Sequence, residues 1–282
     1  MTAKFPDYLD VSPDELGYGT PVRVVVGGDM ADIAHRMANA LLAVIEQARR
    51  ESRSATLIVP VGPVDQFPLL AARINEQGLD CRDVVLINMD EYLDDDGRCV
   101  EIDHPLSFRG YMNRAFYDLV EPNLAPHPEN RVFPDPRHPE AIATLIDGRG
   151  GVDASFGGIG INGHMAFNEP PEPGQTVSVE QFAAFPTRSL DLTRETRTIN
   201  SVTVGGEISI IPQRAVTVGM REILASRQLR FYCNRPWQSS VVRRVLHGPI
   251  TASCPASLMR THADATLTIA DYVASLPNIR LR

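Results

Sequence analysis

Short β-branched runs alternate along this chain with stretches that repeat apolar residues every three or four positions. That alternation limits the fold more than any other feature. Val22 to Val26, Ala55 to Val59 and Val84 to Asn88 read as buried strands. Between the first two, Ala31 to Arg50 carries Ile33, Met37, Leu41 and Ile45 at helical spacing. Further helices are expected from Phe67 to Gln77, from Ser107 (a plausible N-cap) to Val120, and from Ala141 to Asp147. Val152 to Phe156, Ala215 to Gly219 and Arg230 to Cys233 read as later strands, and Glu121 to Pro139 as a proline-rich loop. The order predicts an α/β protein: a doubly wound, mostly parallel, twisted sheet with helices on both faces, Rossmann-like in plan. No repeat or linker divides the chain, so residues 1–282 are expected to form a single domain. Pro170 to Phe185 mixes proline, glycine and polar residues and is expected to be a mobile loop or lid.

Charge removes several classes of partner. The net charge is −8, with no Lys/Arg-rich run, which argues against nucleic acid and against anionic membranes. Apolar runs such as Ala55 to Val61 are too short to span a bilayer, and Met1 to Gly17 lacks the apolar centre of a signal peptide. Cys81, Cys99, Cys233 and Cys254 have no metal-type spacing and read as free thiols of a cytoplasmic protein. A small-molecule partner is expected, and a homo-oligomer is compatible with the sequence.

Ligands of open α/β sheets sit at the carboxyl ends of the strands. Three such ends are unusual here: Pro60 to Asp65, Asn88 to Tyr92, and Gly157 to Glu169. In an extended Asn88-Met89-Asp90-Glu91-Tyr92 segment, neighbouring side chains point to opposite sides, so only one of Asp90 and Glu91 can face a given pocket. Local pattern alone fits two solvated loop acids equally well. An EF-hand reading of Asp94, Asp96 and Gly97 fails, because Tyr92 stands where an acid is needed. Gly158, Gly160 and Gly163 formally match a dinucleotide fingerprint, but Pro170, Pro171 and Pro173 follow where a long helix should open. His164, in a glycine-rich turn between Asn162 and Glu169, is either a satisfied structural histidine or a general acid/base near neutral pH.

Together these motifs resemble the glucosamine-6-phosphate deaminase/isomerase family. The matches are Asn88 to Tyr92, Gly157 to Gly160, and Gly163-His164 with Ala166 to Pro170. Further matches follow in order: His104-Pro105 with Ser107 and Met112, Thr196 with Asn200-Ser201, Pro212, Ala215 and Thr217-Val218-Gly219, Ser253-Cys254 and His262. The resemblance implies an enzyme that opens an amino-sugar ring, moves a proton between C2 and C1 and releases ammonia, with no metal or organic cofactor. It implies that Asp90 shuttles the proton, that His164 assists ring opening, and that Glu169 and Asn162 hold His164. It further implies substrate contacts at Gly62, Glu91, Gly158, Gly160 and Gly163.

Two departures qualify the resemblance. Asn162 stands where the family has aspartate; an amide can accept a hydrogen bond from the ring but cannot neutralise an imidazolium. In the phosphate loop, Pro60-Val61-Gly62-Pro63-Val64-Asp65 lacks the family's hydroxyls, Pro63 has no N–H, and Asp65 would repel phosphate. Either Arg188 and Arg235 take over phosphate binding, or the substrate carries no 6-phosphate, Asp65 and Gln66 bind sugar hydroxyls and Trp237 offers a stacking face. The residues favour the second option. The competing functions are a non-catalytic sugar-binding or regulatory protein and a sugar-lactone hydrolase, since phosphogluconolactonases resemble this fold.

Overall fold

The computed structural model describes residues 5–62 and 65–279. Seven strands form a parallel sheet. In chain order they are β1 (Arg23–Val26), β2 (Thr56–Val59), β3 (Val85–Asn88), β5 (Arg131–Val132), β6 (Ala154–Gly157), β9 (Leu229–Cys233) and β10 (Ala265–Ile269), and their spatial order is β1-β10-β9-β6-β2-β3-β5. A second sheet, antiparallel, is built from β4 (Asp90–Leu93), β7 (Arg188–Asp191) and β8 (Arg214–Thr217), with β8 in the middle. The expected α/β architecture is therefore present, with an additional three-stranded sheet of which sequence patterning anticipated only the middle strand, as Ala215 to Gly219.

The reasons for the misses are local. β4 and β7 are short and carry charged residues, so their strand state comes from pairing with β8. β5 is two residues long inside the proline-rich loop. β10, Ala265-Thr266-Leu267-Thr268-Ile269, does alternate apolar and polar residues and could have been read. The expected lid also contains a helix: Ser178 caps Val179–Ala183 with a reciprocal Gln181 bond, and Phe182 is buried.

Helix α1 (Met30–Arg50) is capped by Asp29, which accepts from the Asp32 N–H, and buries Ile33, Met37, Leu41 and Ile45. Helix α2 (Gln66–Gln77) ends at Gly78, whose φ of +58° lies in the left-handed region. Helix α3 (Phe108–Met112) starts at Ser107, as expected. The main core surrounds the parallel sheet. A small apolar cluster of Tyr92, Val100, Phe167, Leu192, Ile211 and Ala215 supports the antiparallel sheet, and Phe108 packs against both. No helix of the described residues is long and apolar enough to cross a membrane.

Candidate functional site

Two strand tips meet at one corner of the molecule. Met89 links β3 to β4: its N–H donates to the Val59 carbonyl at the end of β2, and its carbonyl accepts from Val218 N–H just past β8. Asp90 follows and pairs with Thr217, which pairs in turn with Arg188, so the three lie in one row across the antiparallel sheet. Thr217 also accepts, through Oγ1, the Phe167 N–H at 3.0 Å. That bond fastens the Gly158–Glu169 loop leaving β6 to the strand that carries Asp90's partner.

Asp90 is buried and makes no side-chain hydrogen bond among the described residues. Burial, with the nearby Glu91 charge, pushes its carboxyl well above the ordinary range. Glu91 points elsewhere. It is fully buried, and its carboxylate accepts from Ser107 Oγ, the N–H groups of Tyr92, Phe108 and Arg109, and Arg109 Nε. It caps α3, which corrects the expectation that it contacts substrate: its oxygens are already taken.

The His164 turn requires its glycines. The imidazole lies so close over Gly160 that a Cβ there would fall 2.1 Å from the ring, and Gly163 has φ of +91° with Cys254 against it. Ala166 also adopts a positive φ, +53°, an unfavourable conformation for a residue with a Cβ. Gly158 is half-buried beside them, just after β6.

Asn162 bridges the acid and the imidazole. Its Nδ2 donates to Glu169 Oε2 at 2.7 Å, and its Oδ1 lies 2.9 Å from His164 Nδ1. A carboxylate only accepts, so the amide must turn its NH2 to Glu169 and its oxygen to the ring. The ring therefore carries its proton on Nδ1, and Nε2 has no partner among the described residues. Thr196 Oγ1 lies 3.2 Å from Nδ1, and Glu169 Oε2 lies 3.5 Å from it. Burial alone would raise the Glu169 carboxyl, yet the His164, Thr196 and Asn162 interactions hold it below the usual range. Thr193 donates to Glu169 through both N–H and Oγ1 while capping the helix Arg194–Ser201. Sequence reasoning assigned Thr193 no role, although a threonine before a helix is a capping signal. Asn200 Nδ2 donates to the Tyr92 hydroxyl at 2.9 Å, a link between segments 108 residues apart that sequence could not reveal.

The other candidate residues are more scattered. Arg188 is half-buried, with Nη1 on Asn168 Oδ1 at 2.7 Å and its guanidinium over the Phe185 ring. Trp237 is half-buried just before the helix Gln238–His247, whose Gln238 donates to the Ile159 carbonyl in the His164 loop. Gly62 and Asp65 are exposed, and Gln66 is fully buried with neither amide atom partnered among the described residues. Pro63 and Val64, expected to weaken phosphate binding, lie outside the described residues. Among the described residues no group of three or more His, Cys, Asp and Glu could hold a metal ion.

This parallel sheet, with a buried acid just past β3 and a hydrogen-bonded imidazole in the loop after β6, two strands away, is that of a sugar isomerase/deaminase-type enzyme. Proteins named glucosamine-6-phosphate deaminase are similar to it: that of Arthrobacter sp. (strain FB24) is 31% identical over 237 residues, 82% of this chain and 85% of its own, and that of Rhodopirellula baltica is 30% identical over 250 residues, 86% and 92%. The chain belongs to the glucosamine-6-phosphate deaminase family. No family model matches it. Among solved structures, a monomeric glucosamine-6-phosphate deaminase, described as a missing link of the NagB superfamily, superposes with a TM-score of 0.77 at 24% identity, covering 91% of this chain and 100% of that one. A 6-phosphogluconolactonase from Trypanosoma cruzi shares the fold with a TM-score of 0.63 at 14% identity, covering 92% and 97%.

Proposed function

We propose that this protein converts an amino sugar to a ketose with release of ammonia, and that its substrate carries no 6-phosphate. In this reading His164 Nε2, the unoccupied ring nitrogen, takes the anomeric hydroxyl proton and returns it to the ring oxygen, opening the ring. Asp90 then removes the C2 proton and delivers it to C1. Its desolvated carboxylate is a stronger base than an exposed one. The resulting C2 imine takes up water and loses ammonia, which balances the reaction.

The observation that carries the assignment is the wiring of His164 through Asn162 to Glu169, in a loop that Thr217, the register partner of the buried Asp90, fastens through Phe167. A lactone hydrolase on this fold would need His164 to activate water but would have no use for Asp90. Asp90→Asn is therefore expected to lower ammonia and ketose formation by about 10²–10⁴-fold; variant turnover equal to native would overturn the assignment.

The absence of a 6-phosphate is supported by Val61, which replaces a hydroxyl, by Asp65 at the start of α2, and by the unpartnered Gln66 amide. A phosphate there would meet an acidic residue, whereas sugar hydroxyls could pair with both side chains. Comparing kcat/KM for glucosamine and glucosamine 6-phosphate tests this. Preference for the free sugar is expected, and preference for the phosphorylated sugar would reject it.

A further inference from the structure

At the opposite end of the parallel sheet, two rows of side chains share one face of its β1 edge. Strand register aligns Arg23, Thr266 and Arg230 in the first row and Val25, Thr268 and Tyr232 in the second. Helix α1 runs from edge strand β1 to β2, four strands further in, and leaves this edge face open. Between the rows and the flank of α1, which contributes Arg36 and Asn39, lies a groove of about 610 Å³. That volume suits a small metabolite.

Its chemistry is unusual for the interior of a parallel sheet, where both faces are normally apolar. Arg230 is held by Asp264 and Arg36 by Asp32, but Arg23 has no acidic partner among the described residues. Tyr232 is 3% exposed and Thr268 6%. Both residues line the groove, and neither hydroxyl has a hydrogen-bond partner among the described residues. Burial pushes the Tyr232 phenol up, so it remains a donor at neutral pH. Past Arg230 the groove continues into a second of about 710 Å³, which adds Arg50, Arg53 and Arg227 against Asp153 and Glu51. The two grooves together are lined by six arginines and three acids, in a chain whose net charge is −8.

We infer that this groove is a second ligand site, separate from the catalytic corner, for a small oxyanion-bearing metabolite. Arg23 supplies the charge, Tyr232 and Thr268 donate to the anion, and Asn39 and Asp264 meet its polar remainder. A phosphate ester and a carboxylate share this chemistry, so inorganic phosphate and malonate serve as separate probes.

Isothermal titration at low ionic strength on the native protein, Arg23→Gln, Tyr232→Phe and His164→Asn provides the test. The native protein and His164→Asn are expected to bind at least one probe equally well. Arg23→Gln and Tyr232→Phe are each expected to weaken that binding at least tenfold, with amino-sugar turnover by Arg23→Gln unchanged. Binding of phosphate alone identifies the phosphate ester as the ligand class, and binding of malonate alone the carboxylate. Absence of binding to either probe, indifference to both groove substitutions, or loss in His164→Asn would overturn the inference. Arg23 is exposed, so its substitution leaves the core packing intact and keeps the comparison interpretable.

Discussion

At the scale of single residues, the most informative position is Asn162. Its amide does two tasks that a carboxylate cannot combine: it donates to Glu169 and accepts from His164. The ring is thereby fixed with its proton on Nδ1, and Glu169 Oε2 stands 3.5 Å from the same nitrogen. Asn162→Asp would replace the amide NH2 that donates to Glu169 with a carboxylate oxygen, so that bond would be lost and two acids would face each other. Asn162→Asp is therefore expected to lower the melting temperature at pH about 7 relative to the native protein, read by thermal denaturation. A melting temperature equal to native would show that the amide bond to Glu169 contributes nothing to stability. Thr196 is the second such position, buried with its hydroxyl on Nδ1. Thr196→Val is expected to lower kcat more than it raises KM, because it frees the ring to rotate without touching the sugar; a pure KM effect would exclude this positioning role.

At the scale of elements, β4 carries two adjacent acids with opposite functions. Strand alternation sends Asp90 and Glu91 to different faces. Glu91 closes the N-terminus of α3, where backbone N–H groups and the helix dipole favour an anion. Glu91→Ala leaves buried donors without partners and is expected to destabilise the protein by about 2–3 kcal/mol. Urea denaturation would measure this, and a loss within experimental error of zero would show that the cap is dispensable. In α1, Leu41 is fully buried. Leu41→Ala should cost about 2–5 kcal/mol through lost burial and a residual cavity, read in the same denaturation experiment.

At the scale of the whole molecule, the two acids Asp90 and Glu169 pull stability in opposite directions. The folded protein raises the Asp90 carboxyl, so between the unfolded and folded titration ranges the native state binds more protons than the unfolded one. Asp90 therefore costs nothing below pH about 4 and destabilises progressively as pH rises through the raised range. Glu169 acts in the other direction: its lowered carboxyl stabilises the fold above the ordinary glutamate range, and that contribution is lost on acidification. Asp90→Asn should consequently raise the melting temperature at pH 8, with the gap to native closing toward pH 4. A gap independent of pH would mean that the carboxyl is not desolvated.

The parallel sheet was legible because burial imposes it locally: Thr56–Val59 and Val85–Asn88 are β-branched or apolar enough to be nothing else, and α1 writes its buried face at helical spacing. The motif residues Asp90, His164 and Glu169 were legible as chemical types at strand ends. Sequence by itself therefore determined the class of fold and which side chains could do chemistry. Tertiary structure alone decided which of two adjacent acids is left unpaired, since that depends on α3 placing its N–H groups over Glu91. It also decided the second sheet, whose β4 and β7 are strands only because β8 lies between them, and the donors Thr193 and Asn200, which reach partners 24 and 108 residues away. The physical reason is the range of the forces: burial and helix periodicity act on neighbours in the chain, whereas a hydrogen bond or a desolvated charge depends on groups that meet only after the chain has folded.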